Sequence, residues 1–178
     1  MAPFSLAKCL YGLYSIGKKL VGVSMMMLGK ALLGNGSSEL YSSNSIVSNA
    51  LENSDIMTEE VKKNVSQYAA TGTDYYESSV ALYGHNNMYD YDLSYSAGKV
   101  SYEMTISEQE ILVGFGPFQK NTAVYAVNVV VWDIYNFDEY RDGNSLGSIL
   151  NNFGYDLQKK GYLTPFSWRA QYTVYINQ

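Results

Sequence analysis

The run Val127-Asn128-Val129-Val130-Val131-Trp132-Asp133-Ile134-Tyr135-Asn136-Phe137-Asp138 constrains this chain more than any other stretch. Its β-branched and aromatic residues are those of a buried or half-buried strand. Side chains alternate along a strand, so Val127, Val129, Val131, Asp133 and Tyr135 share one face. Three valines turn that face towards a core. A carboxylate and a phenol at the end of such a row cost free energy unless they are paired, hydrated at a rim, or used. Asp133 is therefore the first candidate for a functional residue.

The pattern on either side gives the architecture. Residues 39–51 and 58–70 read as helices; in the second, Met57, Val61, Val65 and Tyr68 recur on one face, with Thr58 as the expected cap. Polar turns follow at Thr71-Gly72-Thr73-Asp74 and Gly84-His85-Asn86-Asn87. From residue 91 the period shifts towards strands: Asp92 to Ala97, then Lys99 to Ile106 across Gly98 as a hairpin or bend, then about 110–115. Asn121 to Tyr135 reads as the central strand. Leu146, Ile149, Leu150, Phe153 and Leu157 form the best helical stripe in the chain, with Asn144 or Ser145 to cap it and Gly161 to end it. Ser167 to Ile176 closes the pattern as a strand. The expectation is an α+β fold: N-terminal helical segments, then a mainly antiparallel sheet or partial barrel with one helix inserted before the last strand. Three regions follow: an apolar helical segment (1–38), a helical and loop region (39–87) and a strand-rich unit with the candidate site (88–178).

Residues 4–33 are unusually apolar, with Lys8, Lys19 and Lys30 spaced by eleven so that they line one stripe of a helix. The uncharged runs between them fall short of the ~20 residues of a transmembrane helix. Lysines interrupt the apolar region and no clean cleavage site follows, so no signal peptide is recognised. Two readings stand: a helix packed on the rest of the domain, or a Lys-striped segment that meets a membrane.

Charge narrows the partners. The first 38 residues hold four of the twelve basic residues and none of the seventeen acidic ones, so the net −5 of the chain conceals an acidic body. Such a body does not suit a phosphate backbone, which calls for Lys and Arg clusters, and nucleic acid is not an expected partner. The chain has one cysteine, Cys9, and one histidine, His85. That excludes an internal disulfide framework, a cysteine-rich zinc site and a Ser-His-Asp or Cys-His set built from neighbouring residues. Tyrosine is abundant, at 18 residues against 6 Phe and 2 Trp. It suits edge strands and equally suits surfaces that bind sugars or proteins.

Behind the central strand lie Asp133, Tyr135, Asn136, Asp138, Glu139, Tyr140, Arg141, Asp142 and Asn144. Carboxylates at a strand end and in the following loop can bind a divalent cation, Mg or Ca, with Asp133, Asp138 and Asp142 as ligands. They can equally work as acid or base, with Asp133, Tyr135 and Arg141 as the catalytic set and Arg141 on an anionic oxygen. The same residues also suit a solvated acidic turn after a core strand.

The run Asp133-Ile134-Tyr135-Asn136 after a valine-rich strand, with Arg141 beyond it, resembles the Asp-x-Tyr-Asp motif of colicin M-like bacteriocins. Runs of this kind also resemble a signature in C-terminal domains of polymorphic bacterial toxins. The resemblance implies a helical part before a β-rich catalytic part and metal-dependent hydrolysis of the peptidoglycan precursor lipid II. It makes Asp133 the catalytic carboxylate and Tyr135 its motif neighbour. Asn136 stands where the family has its second Asp, and Asp142-Gly143 stand where it has a His-Arg pair.

The expectation is a secreted antibacterial effector that acts at the periplasm or the outer face of the target membrane, with an immunity protein as partner. Two other classes stay open. One is a toxin that permeabilises a lipid membrane through residues 4–33. The other is a Tyr-rich module for glycans or a protein partner.

Overall fold

The computed structural model describes residues 22–34, 36–83, 87–138 and 146–177. Cys9, the lysines at 8, 18 and 19, His85, Arg141, Asp142 and the expected caps Asn144 and Ser145 lie outside the described residues. In chain order the elements are α1 (Val23–Leu33), β1 (Glu39–Tyr41), α2 (Ile46–Glu52), α3 (Asp55–Thr71), β2 (Tyr75–Ala81), α4 (Met88–Ser96), β3 (Lys99–Val113), β4 (Lys120–Tyr135), α5 (Leu146–Lys159) and β5 (Phe166–Asn177). A single 3₁₀ turn, Gly116–Phe118, joins β3 to β4. The fold is α+β, with helices ahead of most of the sheet and α5 before the last strand, as the sequence pattern predicts.

The five strands form one open sheet in the order β1-β5-β4-β3-β2. β1 pairs with β5 in parallel and every other pairing is antiparallel. The valine-rich strand β4 lies at the centre, between β3 and β5. Val127, Val129 and Val131 are fully buried and belong to the same core as Val100, Tyr102, Met104, Trp168, Ala170 and Tyr172 of the flanking strands. Helical residues complete that core, among them Val23, Met27 and Ala31 of α1, Leu51 of α2, Met57 and Val61 of α3 and Leu93 of α4. The helices thus cover one face of the sheet. The other face carries the exposed Thr105, Asn128, Arg169, Gln171 and Thr173.

Several expectations are corrected. Asp92 to Ala97 is not a strand: Met88–Ser96 is helical, and Asn87 caps it by accepting hydrogen bonds from the N–H groups of Tyr89 and Asp90. Gly98 has a left-handed φ of 62° and makes the helix-to-strand turn where a hairpin was expected. The separate strands expected at Lys99 to Ile106 and 110–115 are one strand, β3. The region 39–87 also holds two strands, β1 and β2, where only helices and loops were expected. β1 is three residues long and β2 is an exposed edge, so neither has the alternation that marks a half-buried strand. Helix α3 starts a turn earlier than the Thr58 cap implies, because Ser54 accepts from the Met57 N–H.

What turns Asp92 into a helical residue is tertiary. Its carboxylate accepts from the N–H groups of Val23 (2.7 Å) and Ser24 (3.0 Å), the first residues of α1, whose N-cap Gly22 offers no side chain. Ser24 Oγ also donates to the Asp92 carbonyl at 2.7 Å. Asp90, fully buried, accepts from Ser54 Oγ at 2.5 Å, the same hydroxyl that caps α3. Two aspartates of α4 thus serve the N-termini of α1 and α3, where the helix dipole favours an anion. Asp92→Ala should cost about 2–4 kcal/mol, since it orphans two buried N–H groups of a helix N-terminus. Urea unfolding followed by circular dichroism tests this, with Asp92→Asn expected to retain part of the lost stability.

Candidate functional site

Asp133 lies where the alternation of β4 places it, on the helix-covered face between the buried Val131 and Tyr135. It pairs across the sheet with Trp168 of β5, which in turn pairs with Glu39 of β1. Glu39, Trp168 and Asp133 therefore stand in one row across three strands. Lys30, in the last turn of α1, holds Glu39 at 2.7 Å. Trp168 is only 2% exposed. Among the described residues its indole Nε1–H has no acceptor, a costly orphaned donor on the strand beside Asp133.

The Asp133 carboxyl is pushed up to about 6, above all because burial disfavours the charged form. A hydrogen bond from the Ile134 N–H opposes that shift, and the negative charge of Asp138 adds to it. Asp138 Oδ1 accepts from Asn136 Nδ2 at 3.2 Å, and its carbonyl accepts from Asn151 Nδ2. Gln158 of α5 fixes the same loop: its Oε1 accepts from the Phe137 N–H at 3.0 Å. The Phe137 ring rests on Gly154, where a Cβ would come within 2.3 Å of it, so a larger residue there would displace the loop that carries Asp138. Tyr135 is 5% exposed and stacks against Phe137 and Phe166, each with ring centroids 5.4 Å away. Burial pushes its phenol well above the ordinary tyrosine range. It can hold the strand end and donate a hydrogen bond, but it is poorly placed to ionise.

Of the residues singled out in the sequence, Asp133, Tyr135 and Asp138 converge at one end of the sheet. Arg141 and Asp142 lie outside the described residues. Among the described residues no group of three or more His, Cys, Asp or Glu side chains is arranged to hold a metal. Asp133 and Asp138 are hard oxygen donors whose mutual repulsion a divalent cation would relieve.

A cleft of about 620 Å³ adjoins this end of β4, lined by Ser38, Glu39, Glu77, Ser101, Glu103, Trp132, Asp133, Ile134, Ser167, Trp168 and Arg169. Alternation puts Trp132, Ile134, Ser167 and Arg169 on the open face, while Glu39, Trp168 and Asp133 belong to the helix-facing row. Arg169 Nη2 meets Glu103 at 2.6 Å, and its guanidinium stands 5.9 Å from the Trp132 ring centroid. Tyr75 Oη donates at 3.4 Å to both Glu77 and Glu103, which sit directly opposite each other on β2 and β3. Sequence reasoning missed this cluster because it draws on four strands, β2 to β5, that pair only in the folded sheet. The available signal was the Ser167-Trp168-Arg169-Ala170 alternation, which places Arg169 on the exposed face.

No family model and no curated protein matches the chain. Among solved structures, the chain is similar to the bacteriocin syringacin M from Pseudomonas syringae pv. tomato DC3000, with a TM-score of 0.44 and 15% sequence identity. The match covers 87% of this chain and 52% of that one, so the chain spans about half the length of that bacteriocin.

A carboxyl whose folded pKa lies above its unfolded value binds more protons in the native state between those two values. Stability contributed by Asp133 is therefore fully present below about pH 4 and is lost as pH rises through about 6. Asp133→Asn should remove that dependence and stabilise the fold at pH 7.5, by on the order of 1 kcal/mol after allowance for solvent screening. Denaturant midpoints of both proteins at pH 4.5 and 7.5 check the sign.

Proposed function

We propose that this chain is an antibacterial toxin effector domain that acts at the cell envelope and hydrolyses the lipid-linked peptidoglycan precursor lipid II. The observation that carries the reading is Asp133, a carboxylate at the inner end of the central strand with its pKa raised to about 6. It belongs to a sequence run that resembles the colicin M motif. A carboxyl with that pKa is mostly ionised at neutral pH and close enough to it to take a proton from attacking water. Burial, and after it the charge of Asp138, keep the pKa up, and Tyr135 with Phe137 and Phe166 fixes the strand end against α5.

A divalent cation, Mg or Ca, would be held by Asp133 and Asp138, with Asp142 in the following loop as a further donor. When bound, such an ion supplies Lewis-acid stabilisation of a phosphoryl oxygen. Arg141 would supply positive charge to an anionic oxygen. An envelope toxin of this kind calls for an immunity protein in the producing cell and a secreted route to its target.

Wild type and Asp133→Asn should each be incubated with purified lipid II and Mg²⁺ or Ca²⁺, and the products separated by chromatography. Wild type is expected to cleave, and Asp133→Asn to lose about 10²–10⁴-fold in rate. Folded wild type without cleavage in either metal overturns the reading.

The open-face cleft favours a second reading, a glycan-binding module, because Trp132 and Tyr75 stand beside Glu103, Glu77 and Arg169. It predicts binding of peptidoglycan fragments without turnover, abolished by Trp132→Ala in titration calorimetry.

A further inference from the structure

The β3–β4 hairpin runs past the rest of the sheet. β2 pairs with β3 only from Lys99 to Thr105, and β5 pairs with β4 only from Val124 to Tyr135. Beyond Glu110 and Ala123 the hairpin is a two-stranded ribbon, kept in register up to Val113 and Lys120. Its composition changes abruptly along its length. Glu108, Gln109 and Glu110 make the stem polar on both faces, and Asn121 Nδ2 donates to Glu110 Oε2 at 3.3 Å. From Ile111 to Gln119 the chain carries no charge at all, and Lys120 follows.

The end of the ribbon is apolar and open to solvent. Leu112 is 61% exposed, Val113 42% and Phe115 90%, with the exposed Pro117 in the turn. Alternation turns Leu112 to one face of the ribbon and Ile111 and Val113 to the other. Apolar groups on both faces suit an environment that surrounds the tip; a protein partner would cover one side. The tip also presents only a handful of side chains, well short of the ~800 Å² per partner of a standard protein interface. A bilayer needs no complementary surface. Four residues of strand reach roughly 10–13 Å, comparable with the ~5–10 Å to which apolar groups enter the interfacial layer.

We propose that the tip of the β3–β4 hairpin is a membrane anchor that inserts Leu112, Val113, Phe115 and Pro117 into the interfacial layer of a phospholipid bilayer. Lys120 marks the level of the headgroups, and the acidic stem stays in water. The anchor is separate from the chemistry of Asp133 and requires no turnover. It holds the domain at the surface with the end of β4 that bears Asp133 directed away from the inserted tip.

The test is flotation of the full chain with phosphatidylcholine vesicles. Wild type should float, and the double variant Leu112→Ser with Phe115→Ser should bind about a hundredfold more weakly, the effect of leaving two large apolar side chains in water. Both positions are exposed, so the unfolding midpoint should not change. In a separate variant, Phe115→Trp, emission should shift to the blue on vesicles and be quenched by brominated acyl chains more strongly than in wild type. Wild type that does not float, a double variant that binds as tightly as wild type, or an unquenched added indole would each overturn the proposal. The second of these outcomes would transfer membrane attachment to the Lys-striped segment at the N-terminus.

Discussion

The helical layer depends on the buried carboxylates of α4. A sheet with one apolar face needs a cover, and here the cover consists of short helices that do not hold themselves together by length or propensity. α1 begins at Gly22, which has no capping side chain, and Asp92 accepts from its first two amides, those of Val23 and Ser24. α3 begins at Ser54, whose hydroxyl both caps the helix and donates to Asp90. α4 is itself capped by Asn87, whose amide also donates to the Asn53 carbonyl at 3.0 Å. The carboxylates of one short helix thus hold two other helix starts through side chains that lie 7% exposed or less, in a setting where each unmet partner carries a desolvation cost.

The same feature explains what could be read from the sequence. β4, α5 and β5 were legible because each carries a period that only one kind of element satisfies. The row Val127, Val129, Val131, Asp133, Tyr135 has the predicted common face, and the Met57, Val61, Val65 stripe is that of α3. α4 was not legible. Its run Met88 to Ser96 is rich in Tyr, Asp and Ser, which favour strands or turns by propensity, and its helical state rests on contacts with Val23, Ser24 and Ser54, residues 34 or more positions away. β1 and β2 were missed for a related reason: a three-residue strand and an exposed edge strand are defined by their partners. At the candidate site, Asp133 and Tyr135 could be found by alternation. The loop support from Gln158 and Asn151, and the Glu77, Glu103 and Arg169 group, come only from the pairing of distant strands.

Asp133 and the open-face cleft occupy the same end of β4, yet their chemistry differs. On the covered side burial, and after it the charge of Asp138, raise the pKa of a carboxyl to about 6. On the open side a guanidinium, an indole and two carboxylates meet at the surface, within reach of water. Trp132 and Asp133 are consecutive, so a one-residue slip of β4 would exchange the two environments and bury the indole's neighbour Ile134 in place of the acid. The long register with β3, thirteen residue pairs from Ser101 to Val113, opposes such a slip.

The pairing of β1 with β5 has a consequence for how the chain reaches this state. Glu39 meets Trp168 and Tyr41 meets Ala170, contacts that span most of the sequence. β5 enters the sheet between β1 and β4, and it brings Trp168, Ala170 and Tyr172 into the core. A growing chain therefore cannot join β1 to the β4-β3-β2 part of the sheet until its last described strand arrives, however complete the earlier helices are. Folding must wait for that closure, a late and non-local step. Until then the two sides of the Asp133 row remain apart.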